Sequence, residues 1–240
     1  MLGLIVSDPS HDADRRRALA DRLRALDLPL TGFTEETAPL FMQAMPRAAF
    51  LRTASAALLR PGQPLPMEAL WTHLFSPDPL PANVLRRYLF LQLSLLPYLR
   101  PGREVTELNG CFLVGPDLLV APITPQDTVD ALLPPGLWTE LNGQCHETRL
   151  RGMRGYNEMP VLARENAVIP IGVNDRTTTH DDADRVTLHW FQPSSAAECR
   201  LADGTRYSLQ REGDAIAVHT QTDKAFHLIV HRDGRERLIR

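Results

Sequence analysis

The sequence predicts an α+β protein: a helical N-terminal segment followed by two small antiparallel β-sandwich subdomains. Three observations carry this. From Asp12 to Leu99, apolar residues recur at helical intervals. After about Arg103, short runs rich in Val, Leu, Ile, Phe and Thr alternate with Gly, Pro, Asn and Asp turns. A polar stretch, VNDRTTTHDDAD over 173–184, then interrupts the second pattern. The expected boundaries are 1–105 for the helical segment, 106–173 for a proximal sandwich and 174–240 for a distal one.

The first helix carries Leu19, Leu23 and Leu26 on one stripe and Arg15, Arg16, Asp21 and Arg22 opposite. Asp12 fits as its N-cap, and Pro29 stops it. A second helix starts near Pro66 and ends before Ser76-Pro77-Asp78-Pro79. A third follows Pro81, and from Val84 to Leu96 it is apolar nearly all round, which predicts burial on most sides. The predicted strands include Cys111–Val114, Leu118–Ile123, Val161–Arg164, Ala167–Ile171 and Val186–Phe191. Glu198–Leu201, Tyr207–Arg211, Ala215–His219 and Phe226–His231 follow in the distal part. Asn109-Gly110, Asn142-Gly143 and Asp203-Gly204 read as turns, the last as a two-residue hairpin.

Composition excludes several classes. A chain of 240 residues, 43% hydrophobic and 23% charged, is neither disordered nor fibrous. Its net charge is −3, Lys224 is its only lysine, and it holds no basic run, so neither nucleic acid nor an anionic membrane is expected as a partner. Cys111, Cys145 and Cys199 form no C-x-x-C pair and read as buried or incidental thiols. His180-Asp181-Asp182 on the polar stretch reads as a solvated loop rather than a metal site. No cofactor and no metal are expected, since neither a phosphate-binding glycine loop nor a G-x-S-x-G elbow occurs. The apolar run Leu2–Val6 is too short for a leader, no stretch approaches a membrane span, and a cytoplasmic location is expected.

One set of motifs goes further. The segment from Phe112 to Pro122, FLVGPDLLVAP, resembles the opening of the β-sandwich that follows the catalytic barrel in glycoside hydrolase family 31. Leu132 to Trp138, LLPPGLW, and Glu158 to Pro170, EMPVLARENAVIP, resemble later strands of that sandwich in the same order. Arg87-Tyr88 with Leu95-Leu96-Pro97-Tyr98-Leu99 resembles the helix leading out of the barrel. Beyond Gly172, the Asn174-Asp175 step and the later strands look more like the α-xylosidase branch than the α-glucosidases. Physically these motifs are structural: Leu118 to Ala121 is apolar on both faces, as a strand between two layers must be, and Trp138 reads as core packing.

The resemblance implies retaining hydrolysis of an α-glycosidic bond, which takes two carboxylates at the strand ends of a β/α barrel. Such a barrel takes ~250 residues. About one hundred precede the sandwich here, so the N-terminal segment is expected to be a much shortened barrel remnant. Phe50 to Ser55, FLRTAS, resembles a strand end of the xylosidase branch whose arginine lies in the sugar pocket, which makes Arg52 the implied substrate-binding residue. Where the family carries its acid/base aspartate, this chain has Arg60-Pro61-Gly62-Gln63-Pro64, without a carboxylate. For the nucleophile the nearest candidates are Glu35 and Glu36, whose flanks do not match. No catalytic residue is therefore assigned. The expectation is a truncated glycosidase-like protein of carbohydrate metabolism without its own hydrolytic activity. The alternatives are an active retaining α-glycosidase and an oligomerising interaction module. The expected partners are an α-linked saccharide and a second copy of the chain.

Overall fold

The computed structural model describes residues 4–10, 12–35, 46–173, 181–232 and 235–239. The N-terminal segment contains β1 (Leu4–Ser7), α1 (Ala13–Ala25), β2 (Leu30–Thr34), α2 (Arg47–Leu59), β3 (Leu65–Pro66), α3 (Met67–Leu74), α4 (Leu80–Ser94) and α5 (Leu96–Leu99). The three expected helices are α1, α3 and α4. As expected, the Asp12 carboxylate caps α1, accepting from the backbone N–H groups of Asp14 and Arg15.

The segment also holds a small parallel sheet in the order β2-β1-β3, which helical periodicity could not reveal. Its central strand, LIVS, is buried on both faces, as a strand between helices must be. A second difference is α2, which takes up Phe50 to Ser55, where a strand end was expected. Five alanines in its 13 residues favour the helix, and every position from Leu51 to Leu59 is buried or half-buried. The α4 helix packs beside it, with Gln92 Nε2 donating to the Leu58 carbonyl at 2.6 Å.

The proximal sandwich comprises β4 (Val105–Leu108), β5 (Cys111–Val114), β6 (Leu118–Val120), β7 (Thr128–Leu132), β8 (Trp138–Glu140), β9 (Cys145–His146), β10 (Arg149–Met153) and β11 (Val161–Arg164). They form a six-stranded sheet, β4-β5-β6-β11-β8-β9, and a β7-β10 ribbon. The distal part comprises β12 (Val168–Ile171), β13 (Thr187–Phe191), β14 (Ala196–Arg200), β15 (Arg206–Glu212), β16 (Ala215–Thr220), β17 (His227–Arg232) and β18 (Arg235–Ile239). Here the sheets are β12-β13-β17-β18 and β14-β15-β16. Their pairings are antiparallel except β13 with β17, whose parallel register runs from Thr187↔His227 to Phe191↔His231. The Asp203-Gly204 hairpin joins β14 to β15, with Gly204 at φ 91°.

One apolar core runs from the N-terminal segment through the proximal sandwich, and a second lies inside the distal sandwich around Trp190, Tyr207 and Leu209. Tyr88 seals the first. Its hydroxyl donates to the Tyr156 carbonyl at 2.8 Å and accepts from the Met159 N–H at 2.8 Å, which ties α4 to the loop before β11. Burial raises its phenol pKa, so it stays a neutral donor. Tyr88→Phe would leave two backbone groups without their partner, and urea unfolding should record a loss of about 1–3 kcal/mol. A variant as stable as the parent would show that the junction does not depend on this hydroxyl.

A neighbouring contact explains the G-P-D turn. Gly115 stands at φ 62°, and a β-carbon there would lie 2.7 Å from the Tyr98 hydroxyl oxygen. That hydroxyl donates to the Val114 carbonyl at 2.9 Å, so α5 can close onto the sandwich only over a glycine.

The polar stretch is less solvated than expected. Residues 174–180, His180 and the Asn174-Asp175 step among them, lie outside the described residues. Asp182 is buried and ion-paired with Arg100, while Ala183 sits in the distal core. Asp182 does lie in a loop, but not a solvated one, because Arg100 at the exit from α5 brings a guanidinium against it. Cys111 and Cys199 are buried thiols; burial raises both, Cys199 to about 12. No helix among the described residues is long and apolar enough to cross a membrane.

Candidate functional site

Barrel and open α/β proteins place ligands at the carboxyl ends of their parallel strands. At that end of β1 the chain presents Asp8, a carboxylate the motif reading passed over. Its side chain is 1% exposed and lies 2.6 Å from Arg16 Nε. It also accepts from the Ser10 hydroxyl at 2.7 Å and the Ser10 N–H at 2.9 Å. Burial opposes its charge, but the bonds from Ser10 and Arg16 outweigh that and hold the carboxyl below its usual range. With its oxygens committed, Asp8 braces the β1–α1 turn. The signal that could have found it was its place directly after an apolar run and before a helix.

Glu35 follows β2 at the same end and is exposed, whereas Glu36 lies outside the described residues. Arg52 projects from α2. Its side chain is 12% exposed, and Nη1 lies 2.7 Å from Asp127 Oδ1 in the loop between β6 and β7. Arg52, the expected substrate-binding residue, is thus ion-paired, and Asp127 is the partner that sequence reasoning missed.

Next to Arg52, α2 opens on a groove of about 560 Å³ facing the β4–β5 hairpin. Ala56, Ala57, Phe112 and Pro122 supply its apolar wall. The alanines that make α2 a good helix also leave this space empty. The hairpin turns at Asn109 (φ 50°) and Gly110 (φ 80°), both left-handed as a type I′ turn requires. Thr53, Gln63 and Asn109 bring neutral polar groups into the groove. Arg60 and Glu107 close one side as an ion pair at 3.1 Å. Gln63, from the stretch that the motif reading set against the family's acid/base loop, lines this groove. Glu107 is the one carboxylate among the described lining residues.

Trp138 is fully buried, and its indole N–H donates to the Pro134 carbonyl at 3.0 Å, so it offers no face to a sugar. Among the described residues no group of three His, Cys, Asp or Glu could hold a metal ion.

A small parallel βα unit packed on an antiparallel sandwich, with a groove lined by amides and one ion pair, defines the class as an α+β protein whose described groove holds a single carboxylate. Residues 93–169 match the family model described as glycosyl hydrolase family 31 C-terminal domain, so that stretch is similar to the family 31 C-terminal region. The solved structure of a Flavobacterium johnsoniae GH31 dextranase complexed with glucose is similar at 18% identity and a TM-score of 0.61, over 91% of this chain and 34% of that one. A GH31 α-xylosidase from Xanthomonas citri is similar at 16% identity and a TM-score of 0.60, over 98% of this chain and 33% of that one. The cycloalternan-forming enzyme from Listeria monocytogenes gives 18% identity and a TM-score of 0.58, over 90% of this chain and 22% of that one. At these identities the likeness is one of fold. The chain spans about a third of the length of the first of these structures. Ahead of the family 31 region, the described residues hold three parallel strands rather than a closed ring of eight.

Proposed function

We propose that this family 31-related carbohydrate protein engages α-linked saccharides without hydrolysing them by itself. The observation that carries the reading is the replacement of acid/base chemistry by an amide: Gln63 lines the groove, and an amide cannot give up and recover a proton near neutral pH. Retaining hydrolysis also needs a second carboxylate at about 5–5.5 Å from the first. Glu107 is alone among the groove's described residues and is tied to Arg60, while Arg52 is committed to Asp127. What the groove offers is what a sugar ring uses: an apolar wall for its C–H face, and amide, hydroxyl and guanidinium groups for its hydroxyls. The thinner motif match beyond Gly172 favours xylosides over glucosides.

The purified chain, incubated with p-nitrophenyl α-xyloside and p-nitrophenyl α-glucoside, is expected to release no nitrophenol above the buffer rate. Turnover of either compound would overturn the reading. If turnover appeared and Glu107→Gln abolished it, the groove would be the active site of a working glycosidase.

A further inference from the structure

A second cavity, of about 600 Å³, lies in the distal part, and its chemistry differs from that of the groove. Arg211 of β15, Arg232 of β17, and Arg235 and Arg237 of β18 line it together, with Asp214 the one acidic residue among the described lining residues. Strand geometry causes the convergence. Arg235 and Arg237 are two positions apart and so share a face of β18. The β17–β18 register sets Arg232 directly opposite Arg235, and Val230 opposite Arg237.

Many arginines elsewhere in the chain pair with acids, as in Arg149–Asp130, Arg206–Glu198 and Arg52–Asp127. Arg211 is placed differently: its Nε donates to the Gly213 carbonyl at 2.8 Å and its Nη1 to the Pro193 carbonyl at 3.1 Å. These bonds hold the guanidinium at the cavity without neutralising it. Ile216 and Val230 contribute apolar surface to the same space.

We propose that this cavity binds a small molecule bearing a phosphate or sulfate ester. Guanidinium forks match the oxygens of such groups bidentately, and several converging forks suit a doubly charged anion. The apolar surface beside the arginines takes the organic body of the ligand. The inference is independent of the groove and of whether the chain hydrolyses anything.

Calorimetric titrations of the full chain with glucose 6-phosphate, inorganic phosphate and glucose, each at low and high salt, test it. Glucose 6-phosphate is expected to bind, phosphate more weakly, and glucose not at this site. Binding should weaken roughly tenfold or more in Arg211→Ala and in Arg237→Ala, since each removes a charge-assisted fork. Phosphate binding equal to that of the sugar ester would reassign the site to the free anion and overturn the small-molecule claim. Ester binding no tighter than glucose, or unchanged in both variants, would overturn the proposal outright. Thermal melts add a readout that simple misfolding would not give. Phosphate is expected to raise the melting temperature of the parent and not that of Arg235→Gln. A variant that still gains stability from phosphate would equally refute the site.

Discussion

Trp138→Ala is expected to cost about 3–5 kcal/mol of unfolding free energy, the range for removing a fully enclosed tryptophan. The side chain has no exposed surface and sits where β8 pairs with β11, opposite Arg164. The Arg164 guanidinium lies 4.9 Å from the ring centre, so the face not packed into the core is covered by a cation. Alanine would leave a cavity, strip the Pro134 carbonyl of its donor and remove the support for Arg164. Trp138→Phe isolates the polar part, because it restores most of the bulk and loses the N–H bond; about 1 kcal/mol is expected there. Urea unfolding of both variants checks the pair. A loss below 1 kcal/mol for the alanine variant would mean that the proximal sandwich is not organised around this residue.

The distal sandwich should lose stability in mild acid, and His189 is the reason. Its Nδ1 lies 2.8 Å from His231 Nε2, and the His231 ring is stacked against Phe191 at 4.2 Å between centroids. Burial, then the neighbouring His231, push the His189 pKa down from 6.5 to about 4. Between those values the unfolded chain binds a proton that the folded chain refuses, so stability rises with pH through this window. It is fully present above about pH 6.5, declines as the pH falls, and levels off only once the folded chain also protonates near pH 4. The shift corresponds to about 3 kcal/mol. Carboxylates titrate in part of the same range, so the comparison that matters is with His189→Phe, which keeps a ring at the stack and cannot charge. Urea unfolding at a series of pH values should show a shallower slope for that variant. Equal slopes would remove His189 as the cause.

Much of the β half was legible because its signals are local. A turn such as Asp203-Gly204 or Asn109-Gly110 announces itself by residues that tolerate positive φ, and the runs between turns match β5, β11 and β15 to within a residue or two. The capped start of α1 at Asp12 and the all-round apolar α4 were equally readable. The parallel sheet was not, since β1 looks like any short apolar run, β2 contains a glycine, and β3 is two residues long. Its existence depends on pairing between segments more than twenty residues apart. Arg52 shows the same limit at the site: the motif named the residue, but only the fold shows that it lies on α2 and pairs with Asp127.

By itself, then, the sequence determined most of the strands after Arg103, the helices α1, α3 and α4, and the likeness of residues 93–169 to the family 31 C-terminal domain. Those are properties of neighbours along the chain, set by period, turn chemistry and side-chain type. The tertiary structure alone decided which groups meet: Arg52 with Asp127, Arg100 with Asp182, and four arginines around one cavity in a chain whose net charge is negative. Net charge is a sum that ignores position, whereas electrostatic energy depends on separation, and only strand pairing sets the separations.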